Sequence, residues 1–222
     1  MSAYFVTATG TDIGKTFVTA GLIRHLRAKS RAVSALKPVV SGFHLETAAA
    51  SDPGQLLSAL GEDITPEAVA RLSPWRFGAP LSPDMAALRE GREIPYDEMV
   101  AFCRRAAAET HGTLLIEGVG GVMVPLDSRH TVLDWMSDLG FPVILIAGSY
   151  LGTISHTLTA LSALRQRGLV PAAMVINDTG GSPVPPVETA AAIRRFGGDV
   201  LIVTMARDAA DGDFAALAAR LA

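Results

Sequence analysis

The stretch that most constrains the fold is ATGTDIGKT, at residues 8–16. It follows an apolar run at residues 4–7 and precedes a segment whose apolar residues recur at helical spacing. Glycine at Gly10 and Gly14 permits backbone conformations closed to other residues, so that successive N–H groups can converge on a phosphate. This strand–loop–helix setting predicts a phosphate-binding loop.

The residues that close this motif have their own chemistry. Lys15 supplies a positive charge, Thr16 supplies a hydroxyl that can ligate Mg²⁺, and the following helix adds the positive end of its dipole. Ala8 departs from the usual pattern G-x-x-x-x-G-K-[ST], which begins with glycine. We therefore expect phosphate binding in a cradle whose first position differs from the common form.

The remaining chain alternates apolar strands with helical segments, which predicts a doubly wound, mostly parallel α/β sheet of about six or seven strands. One domain over residues 1–222 fits this alternation. In such a sheet, ligands bind at the carboxyl ends of the strands. The predicted strands are 4–7, 32–36, 113–116, 142–147, 172–176 and 200–203, and the predicted helices are 15–28, 53–60, 66–72, 96–109, 131–139, 153–167, 187–196 and 214–221.

Two charged residues follow predicted strands directly. Lys37 begins KPVVSG after the second strand, where it is either a functional cation or a solvated charge. Glu117 ends an apolar strand, which is the position of a Walker-B carboxylate that holds Mg²⁺ directly or through water. The glycines that follow Glu117 would let the backbone approach a ligand closely.

Two further positions have two interpretations each. Asp52, ahead of Pro53, is either a helix N-cap or a metal ligand. The pair Asn177 and Asp178 either reads the edge of a nucleotide base or forms an Asx-type turn before the glycines at residues 180–181. Spacing alone leaves both questions open.

Composition excludes several classes of protein. The formal net charge of −3 argues against nucleic-acid binding, and no segment is long and apolar enough to span a membrane. Cys103 is the only cysteine, which excludes an internal disulfide, and we expect it to be a structural thiol. No basic segment precedes the first strand, so we expect no signal peptide and a cytoplasmic location.

Six short motifs occur in a fixed order along almost the whole chain: ATGTDIGKT at 8–16, KPVVSG at 37–42, APLSP at 79–83, IEGVGG at 116–121, LGTISH at 151–156 and IND at 176–178. Together they resemble the motifs of the dethiobiotin synthases, ATP-dependent carboxylases that close the ureido ring in biotin synthesis. The resemblance implies ATP and Mg²⁺, with 7,8-diaminononanoate and CO₂ as the other substrates. It also implies a homodimer whose substrate pocket lies at the subunit interface.

The resemblance also implies roles for individual residues. Lys37 and Lys15 would be catalytic, and Thr16, Asp52 and Glu117 would ligate Mg²⁺. The substrate would contact Thr11 and Ser41, with its carboxylate at the helix start formed by Gly152 and Thr153. The implied nucleotide-binding residues are Asp12, Ile13, Gly14, Lys15, Thr16, Phe17, Asp52, Glu117, Gly118, Val119, Gly120, Asn177 and Asp178.

The chain departs from the family at a few positions. Gly10 replaces a residue that is often acidic, and Tyr150 and Ser155 stand where relatives often carry Lys and Asn. Residues 203–206 lack the proline-containing turn that often flanks the adenine in the family. These departures affect the phosphate cradle, the contacts to the substrate tail and the selectivity for the nucleotide.

Other classes of protein share this kind of loop. A partition or positioning ATPase of the deviant-Walker type would carry an additional lysine near Thr9 and Gly10 and a basic or amphipathic tail, whereas Arg220 is the only basic residue of the last predicted helix. A corrinoid amidase would add a glutaminase domain with a reactive cysteine. A GTPase would carry N-K-x-D where Asn177 is followed directly by Asp178. The sequence favours the synthase.

Overall fold

The computed structural model describes residues 2–180 and 182–221. Its strands are β1 (Ser2–Ala8), β2 (Val33–Leu36), β3 (Val39–Ser41), β4 (Trp75–Phe77), β5 (Thr113–Glu117), β6 (Val143–Gly148), β7 (Pro171–Asn177) and β8 (Ile202–Met205). Its α-helices are α1 (Lys15–Ala28), α2 (Asp52–Leu60), α3 (Pro66–Leu72), α4 (Pro83–Arg89), α5 (Tyr96–Glu109), α6 (Val132–Leu139), α7 (Thr153–Gln166), α8 (Pro186–Gly197) and α9 (Ala215–Ala218). Short 3₁₀ helices lie at Leu45–Ala50 and Asp211–Phe214.

The main sheet contains six parallel strands in the order β2-β5-β1-β6-β7-β8. Helices cover both of its faces because side chains alternate along each strand. In β1, Phe5 joins the apolar cluster on one face, where its ring packs edge-on against Trp135 at 4.7 Å. Its neighbour Val6 joins the cluster on the other face, with Ile23 of α1. The predicted doubly wound α/β fold is confirmed.

The segment between β2 and α5 holds most of the unpredicted structure. Strands β3 and β4 pair in parallel as a separate two-stranded sheet, and α4 begins within the proline-rich stretch. Strands of three residues are too short to show a periodic pattern, so sequence reasoning missed them. The predicted closing helix at 214–221 is a 3₁₀ turn followed by the short α9.

The strand order brings the functional segments together at one edge. In the register of the sheet, Glu117 of β5 pairs with Val6 of β1, and Ile116 pairs with Leu36 of β2. Lys37 follows Leu36, so it emerges beside Glu117, while the phosphate loop emerges from β1 on the other side. Within the described residues, no helix is both long enough and apolar enough to cross a membrane.

Candidate active site at the carboxyl edge of the sheet

The phosphate loop requires glycine at Gly14 but not at Gly10. Gly14 is the N-cap of α1 with φ 94°, and a Cβ there would lie 2.2 Å from Nδ2 of Asn177. A Cβ at Gly10 would meet only the Ile13 side chain, at 3.8 and 3.9 Å, which is ordinary contact. The second left-handed residue of the loop is Asp12, with φ 57°. The prediction that Gly10 supplies unusual backbone freedom is therefore wrong.

Ala8 lies in the strand beneath the cradle. It is the last residue of β1, it is fully buried, and its carbonyl accepts a hydrogen bond from the Val122 amide at 3.1 Å. A Cβ at Gly121 would lie 3.2 Å from the Cα of Gly10. Gly121 thus allows the loop after Glu117 to pack backbone against backbone on the phosphate loop. The hydrogen bond from Val122 to the Ala8 carbonyl stabilises that contact.

Lys37 is a buried ammonium between two carboxylates. Its Nζ lies 2.8 Å from Oε1 of Glu117 and 2.9 Å from Oδ2 of Asp52, and it donates to the Gly118 carbonyl at 2.8 Å. The residue is 1% exposed, which rules out the interpretation as a solvated charge. Burial opposes its charged form, but Glu117 and Asp52 outweigh burial, so the pKa of Lys37 lies above its ordinary value.

Asp52 is not the helix cap. Ser51 caps α2, and its hydroxyl accepts the Gly54 amide at 3.3 Å. The Asp52 carboxylate instead accepts from the Thr16 hydroxyl at 2.8 Å and pairs with Lys37. Burial would raise the pKa of Asp52, but the charge and hydrogen bonds of Lys37 and Thr16 bring that pKa below its ordinary value. The N-cap interpretation is therefore wrong, and Asp52 belongs to the charged cluster.

The oxygen atoms of Thr16, Asp52 and Glu117 fit a divalent cation. The Thr16 Oγ1 lies 2.8 Å from a carboxylate oxygen of each acid, yet its single proton can satisfy only one of them. Oε2 of Glu117 is buried without a partner in the described part of the chain. Hard oxygen ligands of this kind suit Mg²⁺. The described residues contain no group of three or more His, Cys, Asp or Glu side chains placed to hold a metal ion. The oxygens of Thr16, Asp52 and Glu117 make this two-carboxylate group the candidate metal site.

Lys15 is held by carbonyls. Its Nζ donates to Gly120 at 2.7 Å and to Gly10 at 3.3 Å. Burial and the nearby charge of Lys37 lower the pKa of Lys15 to about 8, which leaves most of the population charged at neutral pH. The sequence contains three lysines, and two of them lie in this cluster.

A cavity of about 790 Å³ opens above the cluster. Val40, Ser41 and residues 80–83 form one wall, and the phosphate loop forms another. Ser41 Oγ is buried without a partner in the described structure, so it is available to a ligand. The predicted site residues that line this cavity are Thr11, Asp12, Gly14, Lys15, Thr16, Phe17, Lys37, Ser41, Asp52, Val119 and Gly120.

Asn177 and Asp178 have separate tasks. Asn177 Nδ2 donates to the Ile13 carbonyl at 2.9 Å and so holds the phosphate loop, whereas its Oδ1 is buried and unpartnered within the described residues. Asp178 forms the Asx-type turn, because its Oδ1 accepts the Gly180 amide at 2.8 Å. Position 181 of the predicted turn lies outside the described residues. The turn interpretation holds for Asp178 and fails for Asn177.

The predicted binding site for the substrate carboxylate lies apart from this cavity. Gly152 is the N-cap of α7 with φ 98°. The Thr153 amide donates to the Tyr150 carbonyl at 3.1 Å, and the Thr153 hydroxyl donates to the Gly148 carbonyl at 2.6 Å. Both donors of Thr153 are therefore bonded within its own loop. Tyr150 and His156 join through a contact of 2.9 Å from the hydroxyl oxygen to Nδ1. Neither Gly152 nor Thr153 lines the cavity around Lys37.

Sequence reasoning missed the residues that position Lys37. Ser73 is fully buried, and its hydroxyl donates to the Lys37 carbonyl at 2.6 Å, while the Lys37 amide donates to Leu72 at 3.1 Å. These residues end α3, far away in sequence, and they carry no local signal. Cys103 is buried, and burial raises its thiol pKa to about 12, which agrees with the expected structural role.

Comparison with known proteins places the chain in a family. A family model described as an AAA domain matches residues 2–206. The chain is 55% identical over 196 residues to the ATP-dependent dethiobiotin synthetase BioD of Acidiphilium cryptum, with 88% of each chain covered. It is 50% identical over 212 residues to the protein of the same name from Methylobacterium nodulans, with 93% of this chain and 94% of the relative covered.

A solved structure supports the fold. The MinC:MinD cell division protein complex of Aquifex aeolicus matches with a TM-score of 0.55 over 94% of this chain and 82% of that chain. At 10% identity this likeness extends to the fold alone. The high identities to the curated relatives, over most of both chains, decide the family. The chain belongs to the ATP-dependent dethiobiotin synthetase family of P-loop proteins.

Proposed function

We propose that the protein uses ATP to carboxylate 7,8-diaminononanoate with CO₂ and to close the ring of dethiobiotin, a step of biotin synthesis. The observation that carries the proposal is the buried Lys37, which is held between two carboxylates and lines the same cavity as the phosphate loop. The names of the relatives support the same activity. Residues 1–222 would act as one cytoplasmic P-loop domain.

The chemistry proceeds through two activated forms of carbon dioxide. One amine of the substrate adds to CO₂ and loses a proton, which gives a carbamate. A carbamate oxygen then attacks the γ-phosphorus of ATP, ADP leaves, and a carbamic–phosphoric anhydride forms. The second amine attacks the anhydride carbon, phosphate leaves, and the five-membered urea closes. No protein nucleophile is needed, which agrees with the inert environment of Cys103.

The protein's contribution is electrostatic, because each step builds or moves negative charge. Lys15 and the N-terminus of α1 would hold the phosphates, and Lys37 would stabilise the carbamate and the transferring phosphoryl group. Thr16, Asp52 and Glu117 would hold Mg²⁺ through the oxygens described above. When bound, this ion supplies charge neutralisation to the β- and γ-phosphates.

The adenine and the substrate would use atoms that have no partner in the described structure. Oδ1 of Asn177 would accept a hydrogen bond from the amino group of adenine, while Nδ2 keeps its bond to Ile13. Ser41 Oγ would contact the diamine from the wall opposite the phosphate loop, together with Thr11. The substrate carboxylate would lie beside Gly152 and Thr153 of a partner subunit, since the cavity around Lys37 lacks these residues. The dipole of α7 would favour the carboxylate there, although the Thr153 amide and hydroxyl are bonded within their own loop.

The defining experiment combines the protein with 7,8-diaminononanoate, bicarbonate, Mg²⁺ and ATP. The expected product is heavier than the diamine by one carbonyl less the two hydrogens replaced, and it forms with one phosphate per ring. ATP hydrolysis at the same rate without the diamine would contradict the proposal. Omission of bicarbonate provides the control, because ring closure has no other source of the carbonyl carbon.

The role of Lys37 can be tested by Lys37→Gln, with Lys29→Gln as the matched control. Lys29 is exposed at the end of α1, so its variant should retain wild-type turnover. We expect Lys37→Gln to lower kcat by about 10²-fold or more, the loss typical of a removed electrostatic donor, with a small change in ATP affinity. Equal turnover of the two variants would remove Lys37 from the mechanism.

A further inference from the structure

The two carboxylates proposed to bind Mg²⁺ are already paired with a positive charge of the protein itself, the ammonium of Lys37. Oε1 of Glu117 lies 2.8 Å from both Thr16 Oγ1 and Lys37 Nζ. Asp52 directs one carboxylate oxygen to Thr16 at 2.8 Å and the other to Lys37 at 2.9 Å. The ammonium of Lys37 therefore shares both proposed carboxylate ligands of the metal.

The charges of the cluster balance without a metal. Apart from the exposed Asp12, whose carboxylate also acts on Lys15, two carboxylates, Asp52 and Glu117, face two ammonium groups, Lys15 and Lys37. A divalent cation placed among these oxygens would give the cluster a net charge of +2 while Lys37 stayed in place. Repulsion between like charges a few ångströms apart is strong where water is excluded, so the two cations compete for the same carboxylates.

We propose that Lys37 is the resident counter-ion of the metal site in the ligand-free protein, and that Mg²⁺ binds by displacing its ammonium. The proposal rests on the magnesium site of the proposed function. Metal entry and release of Lys37 into the cavity are then one event. Lys37 and Lys15 both line the cavity, but the Lys37 ammonium becomes free to donate to an anion there only when the metal is present.

This exchange gives the site an order of assembly. Without metal, Lys37 is tied to Asp52, Glu117 and the Gly118 carbonyl, and it has no free donor direction to offer to an anion beyond these three contacts. With metal, the carboxylates are neutralised by the ion, and Lys37 can donate to the carbamate or phosphate. Metal binding therefore frees the Lys37 ammonium for hydrogen bonding and also neutralises charge on the phosphates.

The first test measures binding of Mn²⁺ alone to nucleotide-free protein by electron paramagnetic resonance. We expect Lys37→Met to bind Mn²⁺ at least about tenfold more tightly than the wild type, because the competing charge is gone. Lys15→Met removes an equal charge that touches carbonyls rather than carboxylates. Its gain in affinity should be clearly smaller. Equal affinities of the wild type and Lys37→Met would overturn the proposal.

The second test observes the lysine side chains directly, and Lys15→Met, already used in the first test, distinguishes the Lys15 resonance from that of Lys37. With three lysines in the sequence, ¹³Cε-lysine labelling gives a simple spectrum in which Lys29→Arg identifies the exposed residue. Titration with Mg²⁺ at concentrations that saturate the metal site should shift the Lys37 resonance and leave Lys29 unchanged. Metal binding without a change at Lys37 would contradict the exchange, even where Lys37→Met fails to fold.

The two proposals fail in different ways. If Mn²⁺ binds neither the wild type nor Lys37→Met, and nucleotide does not change this, the magnesium site of the proposed function is wrong. If Mn²⁺ binds both proteins equally and Asp52→Asn abolishes that binding, the metal site stands and the exchange with Lys37 is wrong. If Mn²⁺ binds Lys37→Met more tightly than the wild type, and Asp52→Asn abolishes this binding, both the metal site and the exchange with Lys37 are supported.

Discussion

Residues that look equivalent in the sequence have different physical constraints in the loop at 8–16. Gly14 must adopt a positive φ and leaves no room for a Cβ beside Asn177, whereas Gly10 has ordinary space around it. Asp12 adopts the left-handed conformation although it has a side chain. The position of glycine in the motif therefore does not by itself say which glycine the backbone needs.

A pair of alanine variants tests this difference. Gly14→Ala should weaken ATP binding by at least about tenfold and lower the unfolding free energy by about 1 kcal/mol or more, because of the positive φ and the clash with Asn177. Gly10→Ala should change the ATP affinity by no more than about twofold and the unfolding free energy by no more than about 0.5 kcal/mol. Calorimetric ATP titration and denaturant unfolding measure the two quantities. A loss at Gly10 equal to that at Gly14 would contradict the assignment.

Burial and side-chain contacts distinguish between the two interpretations that the sequence allows for Lys37 and for Asp52. The sequence allowed a solvated lysine and a helix cap, because each position has a common structural role that uses no ligand. The structure buries Lys37 and directs Asp52 toward it across a long separation in sequence. Contacts between distant residues leave no local pattern, so the sequence alone leaves both alternatives open.

Among the secondary-structure elements, α2 has two adjacent residues at its start, Ser51 and Asp52, that have different partners. The Ser51 hydroxyl accepts a hydrogen bond from the Gly54 amide and so caps the helix. Asp52 is the first residue of the helix, and its carboxylate faces the charged cluster. The 3₁₀ turn ahead of them packs closely, since a Cβ at Gly54 would lie 1.9 Å from the Ala48 carbonyl oxygen. This packing directs the first turn of α2 toward Thr16.

Variants at these neighbours should therefore behave differently. Ser51→Ala should lower the unfolding free energy by about 1 kcal/mol through loss of the cap and leave the Mg²⁺ dependence of turnover unchanged. Asp52→Asn should raise the Mg²⁺ concentration at half-maximal rate by about tenfold or more. Thermal unfolding and a Mg²⁺ titration of turnover separate the effects. An unchanged titration for Asp52→Asn would remove it from the metal site.

The long helices and the buried strands were the predictable elements. The predicted bounds of α1, α3 and α5 agree with the structure, because each has apolar residues at helical spacing and a clear start. The two-stranded sheet and α4 were not predicted, although they carry Val40, Ser41 and residues 80–83 to the cavity wall. Their strands are short, and packing stabilises them more than any repeating pattern.

At the scale of the molecule, the sheet order β2-β5-β1 unites the site. It places Lys37, Glu117 and the phosphate loop on adjacent strand ends, and the loop at Gly152 lies beyond this cavity, after β6. Leu151, next to Gly152, is 89% exposed. Ile154, in the first turn of α7, is also exposed, so the proposed homodimer interface would cover the apolar side chains at this end of α7.

A charge at this position should disrupt the dimer. Leu151→Glu would bury an unpaired carboxylate in the interface, so we expect a monomer and a loss of turnover at low protein concentration. Val170→Glu is the matched control, because Val170 is 63% exposed between α7 and β7. Light scattering after size exclusion measures the assembly. A dimeric Leu151→Glu, or a monomeric wild type, would contradict the shared site.

The sequence alone determined the α/β class, the phosphate loop, the strand-end positions of Lys37 and Glu117, and the family, because these depend on local patterns and on motifs in a fixed order. Three features depend on tertiary contacts: the ordinary space around Gly10, the pairing of Asp52 with Lys37, and the bond from Asn177 to the Ile13 carbonyl. Hydrogen bonds and ion pairs between strand ends depend on the order and register of the sheet, and no local sequence pattern encodes either of them.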